Sequence, residues 1–300
     1  MKRIGGYLFQ ATSWLFSRAP HFILYGIADI IYVFLFYIIG YRKKVVYQNL
    51  KNSFPEKSDQ EIKSIRKKFF HHLSDIFVEN IALIKMKPER ISKMVEFKNH
   101  EILNNLYHQG KSIVGVTAHY SNWEIFITLP LFSPHTTLCV YKPLNNKFFD
   151  RAFYKMRAKF GEVPVTMKDA YRTILQFNKN NKLTILGLIS DQRPPKRSSN
   201  YWTTFLNQET PVFLGPEKIA QKLNAAVVYT HVDKIKRGKY LLIPTLLFEE
   251  ARNCKTNEIT EAHLRLLEKY IQEKPEYWLW SHKRWKHKRD PKIPMHKKLL

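Results

Sequence analysis

An α/β fold with an apolar helix at its amino end is predicted by three features of this 300-residue sequence. Two near-continuous apolar runs, "SIVGV" from Ser112 and "KLTILGLIS" from Lys182, read as strands buried on both faces, as in a parallel sheet. A long segment from Ser58 to Met86 repeats its apolar residues at helical spacing. The stretch from Phe22 to Tyr41 holds twenty residues with Asp29 as its single charge. No Gly/Ser-rich or Pro-rich linker, internal repeat or low-complexity tract divides the chain, so one catalytic-sized domain is expected. The organisation read from the sequence is a membrane anchor over 1–45, a main domain over 46–290 and a basic tail over 291–300.

Taken in order, "FILYGIADIIYVFLFYIIGY" just suffices to cross a bilayer core of about 30 Å as a helix. Asp29 at the centre of an isolated span costs roughly 2.5–3.5 kcal/mol, so the segment either spans or lies deep in the interface. Arg42, Lys43 and Lys44 follow, suited to an anionic cytoplasmic surface. No small-residue cleavage pattern accompanies the run, so it is expected to be retained. "SDQEIKSIRKKFFHHLSDIFVENI" opens on Ser58 with Glu61 three residues on, a capping box, and carries Ile62, Ile65, Phe69, Leu73, Ile76 and Phe77 on one side. The closing "EYWLWSHKRW" fits either an interfacial surface or ordinary core aromatics beside a solvated run.

The charge is lopsided, with 50 Lys plus Arg against 25 Asp plus Glu, a formal +25. Such an excess points to a polyanionic partner: an anionic membrane, nucleic acid or an acidic protein. Cys139 and Cys254 stand apart without C-x-x-C spacing, which fits cytoplasmic thiols better than a disulfide framework and leaves a cysteine-built zinc site unsupported. No helix-turn-helix, ribonucleoprotein motif or zinc module supports a nucleic-acid reader.

The chemistry concentrates in "VTAHYSNWE", Val116 to Glu124. His119 is expected at the carboxyl end of a strand, where open α/β sheets bind ligands, and Glu124 in the first turns of the helix that follows. Five residues apart on one helix the two side chains would diverge, so the spacing predicts a bend that folds them together. Glu124 would then fix the tautomer of His119 and leave the other ring nitrogen free to take a proton from an alcohol. Asn122 would orient the turn and Trp123 wall the site. The spacing does not match H-E-x-x-H, and the G-x-S-x-G elbow is absent around Ser121.

At these residues the sequence resembles the lipid A biosynthesis acyltransferases, a branch of the lysophospholipid acyltransferase group. That branch writes the motif as His-x-Gly-Asn-Trp-Glu, and "HYSNWE" keeps His119, Asn122, Trp123 and Glu124 with Ser121 in place of glycine. Further blocks follow in the family's order: "YRKKVVYQNLKNSFPE", "YKPLNNKFFDRAFYKMRAKFG", "LISDQRP", "TTFLNQETPVFLGPEKIAQKLNAAVV" and "PEYWLWSHKRWK". Lys142 stands where the family has Arg, Asn207 replaces a glycine after Phe205-Leu206, and Val212 stands near the family's second Thr.

The resemblance implies a glycerol-3-phosphate-acyltransferase-like mixed sheet flanked by helices. It implies acyl transfer from a thioester, usually of acyl carrier protein, to a hydroxyl of a phosphorylated glycolipid, without an acyl-enzyme and without metal or redox cofactor. His119 and Glu124 are carried over as catalytic. Asn122, Trp123, Lys142, Arg157, Asp191 and Gln192 are carried over as substrate-binding, with Arg157 and Lys142 on the oxyanion or a phosphate and Asp191 and Gln192 on the acceptor sugar or a basic partner. The implied location is the cytoplasmic face of the cell inner membrane. A lysophospholipid or a hydroxylated amino-acid lipid is the alternative acceptor. A non-catalytic basic module is the alternative of another class.

Overall fold

The computed structural model describes residues 2–296; the last four residues of the expected basic tail lie outside them. The chain opens with α1 (Lys2–Arg18) and α2 (His21–Val33), the latter running into a π-helical turn at Phe34–Ile38. Next come α3 (Lys43–Ser53), α4 (Asp59–Lys85) and the short α5 (Pro88–Ser92). Strands and helices then alternate through β1 (Val95–Phe97), α6 (Glu101–His108), β2 (Ile113–Thr117) and a 3-10 segment, Trp123–Leu131. The alternation continues with β3 (Thr136–Tyr141), α7 (Lys147–Arg157), β4 (Val163–Thr166), α8 (Ala170–Lys179) and β5 (Thr184–Ile189). A hairpin of β6 (Trp202–Phe205) and β7 (Gln208–Pro211) precedes α9 (Gly215–Leu223). The long pair β8 (Ala226–Lys236) and β9 (Lys239–Phe248), α10 (Glu258–Glu273) and β10 (Met295–His296) complete the order.

Seven strands form one sheet in the order β1-β9-β8-β2-β5-β3-β4. The β8–β9 pair is antiparallel and the other pairings are parallel, so the sheet is mixed, as expected. The two apolar runs read as buried strands are β2 and β5, direct neighbours at the sheet's centre with Thr117 opposite Ile189. Val114, Val116, Leu186 and Leu188 from these strands lie in a core shared with Phe69, Phe70, Trp278 and Trp280.

The capping box forms as read: the Ser58 hydroxyl accepts from the Glu61 N–H at 3.3 Å and Glu61 accepts from the Ser58 N–H at 2.8 Å. The helix it starts, α4, runs the full 27 residues along the body. Against it lies α2, with Leu24, Tyr25, Ala28 and Tyr32 turned inward and Phe22, Ile23, Ile30 and Val33 exposed. The stretch His21–Ile38 is long and apolar enough to cross a membrane. Asp29, the unpaired charge of the sequence reading, is held by the Arg237 guanidinium on the β8–β9 turn.

The closing aromatic block is core. Trp278 and Trp280 are buried, and Arg284 beside them donates to the Pro211 carbonyl at 2.7 Å. Early and late blocks meet here. Asn49 donates to the carbonyls of Trp280 and His282 at 2.9 and 3.0 Å, and Arg42 donates to that of Ser281 at 2.9 Å. These bonds satisfy carbonyls of the irregular segment that follows the antiparallel bridge between Tyr120 and Trp278.

Candidate active site

The register of β2 on β5, continued two residues past Thr117 and Ile189, sets His119 beside Asp191. The imidazole Nδ1 and an Asp191 carboxylate oxygen are 2.6 Å apart. A carboxylate only accepts, so Nδ1 carries the hydrogen and Nε2 keeps its lone pair. The second Asp191 oxygen accepts from the indole N–H of Trp278 at 2.8 Å. Burial by itself would push the Asp191 carboxyl up. The charge His119 carries when protonated and its hydrogen bond, helped by Trp278, outweigh it and hold the carboxyl below its ordinary range. On the other side of the ring, the Gln192 amide lies 3.2 Å from Nε2 and donates to it.

Glu124 is not the partner of His119. Its carboxylate is taken by Arg157 in two bonds, Nε at 3.1 Å and Nη2 at 2.7 Å. The expected bend exists, through Ser121 in the left-handed region at φ +54°. It brings both residues to one cavity but aims Glu124 at the end of α7. The orienting carboxylate comes instead from the neighbouring strand. Local spacing within "HYSNWE" carries no trace of that, because the contact spans 72 residues.

The remaining expected residues divide. Trp123 and His119 meet in a T-shaped contact with centroids 5.0 Å apart, and Trp123 walls the cavity. Lys142, Arg157 and Gln192 also line it. Asn122 does not: it is fully buried, its amide donating to Glu79 at 2.7 Å and its carbonyl oxygen accepting from the Glu124 N–H at 3.2 Å. Asp191 is likewise buried behind His119, so neither side chain reaches a substrate. Trp278 and Glu79 were missed as site residues. "YWLWS" gave Trp278 as one aromatic among several, and Glu79 stood within an amphipathic helix like any polar residue.

The cavity measures about 830 Å³. It descends from His119 along one sheet face past Thr117, Gly115 and Ile113 on β2 and past Ile189, Gly187 and Ile185 on β5. Leu103 and Leu129 line its depth. Six extended steps from Ile113 to His119 span about 20 Å at ~3.3 Å each. Gly115 and Gly187 face each other across the two strands, with Cys139 next to Gly187, so the middle of the trough has no bulky side chain. Glu162, also in the lining, is pushed up to about 8 by burial with the Glu124 charge adding to it. Among the described residues no group of three or more His, Cys, Asp or Glu is placed to hold a metal ion.

A histidine oriented by a buried carboxylate, its Nε2 accepting from Gln192, thus stands at the mouth of a deep apolar trough. The family model of the bacterial lipid A biosynthesis acyltransferases matches residues 1–287, and the chain belongs to that family and is an acyltransferase. The "Lipid A biosynthesis lauroyltransferase" of Escherichia coli (strain K12) is 23% identical over 279 residues, covering 91% of this chain and 88% of that protein. The "Lipid A biosynthesis acyltransferase 2" of Shigella flexneri is 26% identical over 130 residues, covering 43% of this chain and 41% of that protein.

Proposed function

We propose that the protein transfers a fatty acyl chain from an acyl carrier protein thioester to a hydroxyl of a lipid A precursor, with His119 as general base. The observation that carries this reading is the hydrogen-bonded row Trp278–Asp191–His119, which leaves the Nε2 lone pair facing the cavity. The acceptor hydroxyl takes the place of the Gln192 amide at Nε2 and gives up its proton there. Its oxygen bonds to the thioester carbonyl carbon, the C–S bond breaks, and the leaving thiolate takes the proton from the imidazolium. Asp191 stabilises that imidazolium between the two transfers. Arg157, braced by Glu124, and Lys142 at the cavity edge are the cations for the developing oxyanion or for an acceptor phosphate. The trough seats the acyl chain.

The surface supports work at a membrane. The exposed side of α2 and its π-turn presents Phe22, Ile30, Phe34, Ile38 and Ile39, and α1 adds Tyr7, Leu8 and Leu15. With the +25 charge this suits the anionic cytoplasmic face of the inner membrane and an acidic carrier protein.

Acyl transfer in detergent micelles tests the reading, with acyl carrier protein thioesters and either a tetra-acylated lipid A precursor or a lysophospholipid. Turnover on the first, abolished in His119→Ala and reduced about 10²–10⁴-fold in Asp191→Asn, is expected. Turnover on the lysophospholipid alone would move the acceptor class. An active His119→Ala would remove the assigned base.

A further inference from the structure

We infer that Glu79 is a positioning residue that ties the amino-terminal helix α2 to the loop bearing His119 and Glu124, so that the seating of α2 sets the rate of acyl transfer. The inference rests on the proposed role of that loop in catalysis.

Glu79 lies in the carboxyl-terminal third of α4 and is fully buried. Its two oxygens collect three donors from three separate parts of the chain. The Tyr25 hydroxyl of α2 donates to one oxygen at 2.7 Å. The Asn122 amide donates to the other at 2.7 Å, and the Tyr240 hydroxyl of β9 donates to the same oxygen. Asn122 passes the constraint on, because its carbonyl oxygen accepts from the Glu124 N–H at 3.2 Å. Glu124 in turn holds Arg157 by two bonds. A continuous polar path therefore runs Tyr25–Glu79–Asn122–Glu124–Arg157, from a helix with an exposed apolar face to the cavity wall.

The seat of Tyr25 is built for this contact. Gly238 in the β8–β9 turn has φ +72°, and a Cβ there would lie 2.7 Å from the Tyr25 hydroxyl. One turn further along α2, Asp29 is gripped by Arg237, so the helix is fixed at two polar points. Burial pushes the Glu79 carboxyl up, so a polar group is kept there at a cost that packing alone does not explain, and removing any one donor leaves a buried oxygen less satisfied. Glu79 does fix the rotamer of Asn122, whose side chain has no exposure through which water could substitute.

The test combines kinetics with hydrogen exchange on the full-length enzyme in micelles. Tyr25→Phe deletes one hydroxyl and should lower kcat about 10-fold with KM for both substrates unchanged, Glu79→Gln more. Exchange protection should fall selectively over residues 119–126 and stay unchanged over α8. Tyr25 and Glu124 do not touch, so independent effects on kcat would add in the double variant of Tyr25→Phe with Glu124→Gln. A combined loss at least 3-fold smaller than the product supports the tie. Additive losses, unchanged kcat, or protection lost equally over 119–126 and α8 would each overturn it. If wild type turns over no acceptor, the proposed function fails, whereas the exchange pattern still decides whether Glu79 couples α2 to the loop. Tyr25→Phe carries the test should Glu79→Gln not fold.

Discussion

Ser121 holds the left-handed conformation that turns the chain from β2 into the 3-10 segment, and its buried hydroxyl has no hydrogen-bond partner among the described residues. A β-carbon in that region costs roughly 1–2 kcal/mol, which explains why the resembling family writes glycine there. Ser121→Gly should stabilise the protein by about 1 kcal/mol, read as a Tm rise of about 2–4 °C, with acyl transfer retained. A lower Tm would mean that the hydroxyl is satisfied after all. Asn207 fits the same logic. Leu206 and Asn207 both have positive φ in a two-residue hairpin loop, and asparagine tolerates the position that glycine fills elsewhere in the family. At Lys142 the exchange of Arg for Lys keeps the charge at the cavity edge and loses the planar fork.

Elements decide the site's two main dimensions. The parallel pairing of β2 with β5 fixes which carboxylate meets His119, because register is invariant along the ladder. The same pairing stacks Gly115 on Gly187 and opens the trough between them. A Cβ on Gly187 would meet nothing closer than the Leu138 carbonyl oxygen at 3.4 Å, so a larger residue fits at the cost of cavity space. Gly187→Val should shorten the preferred acyl donor. The donor favoured by wild type should lose about 10-fold or more in kcat/KM, and a donor a few carbons shorter should be spared. Competition between acyl carrier protein thioesters of graded length measures this, and an unchanged preference would place the acyl chain elsewhere.

Across the whole molecule, buried titratable groups set the pH range of stability. Burial lowers His231 and His263 to about 4, so the unfolded chain takes up their protons near pH 6.5 while the native state refuses them. Their contribution to stability is present above pH 6.5 and is lost as pH falls toward 4. Glu162 works the other way, since its raised carboxyl favours the native state as pH falls from 8 to about 4.5. The lowered histidines, His72 and His282 among them, outnumber the raised carboxyls of Glu162 and Glu79, so Tm should fall between pH 6.5 and 4.5. It should fall less in the double variant His231→Phe, His263→Phe, as a pH series of melts would read; equal slopes would show that other groups carry the acid limb. The sequence by itself determined the two central strands, the capped α4, the apolar amino-terminal helix and the placing of His119 and Trp123 just past the first of those strands. Each of those signals is local: periodicity, a cap, or a polar residue closing an apolar run. Only the tertiary structure decided that Asp191 and not Glu124 orients His119, that Glu124 braces Arg157, and that Asn122 faces Glu79. It also made Trp278 and Trp280 core rather than interface. Those contacts join segments tens to hundreds of residues apart, and strand register and helix docking create such neighbours without marking them in any short stretch of sequence.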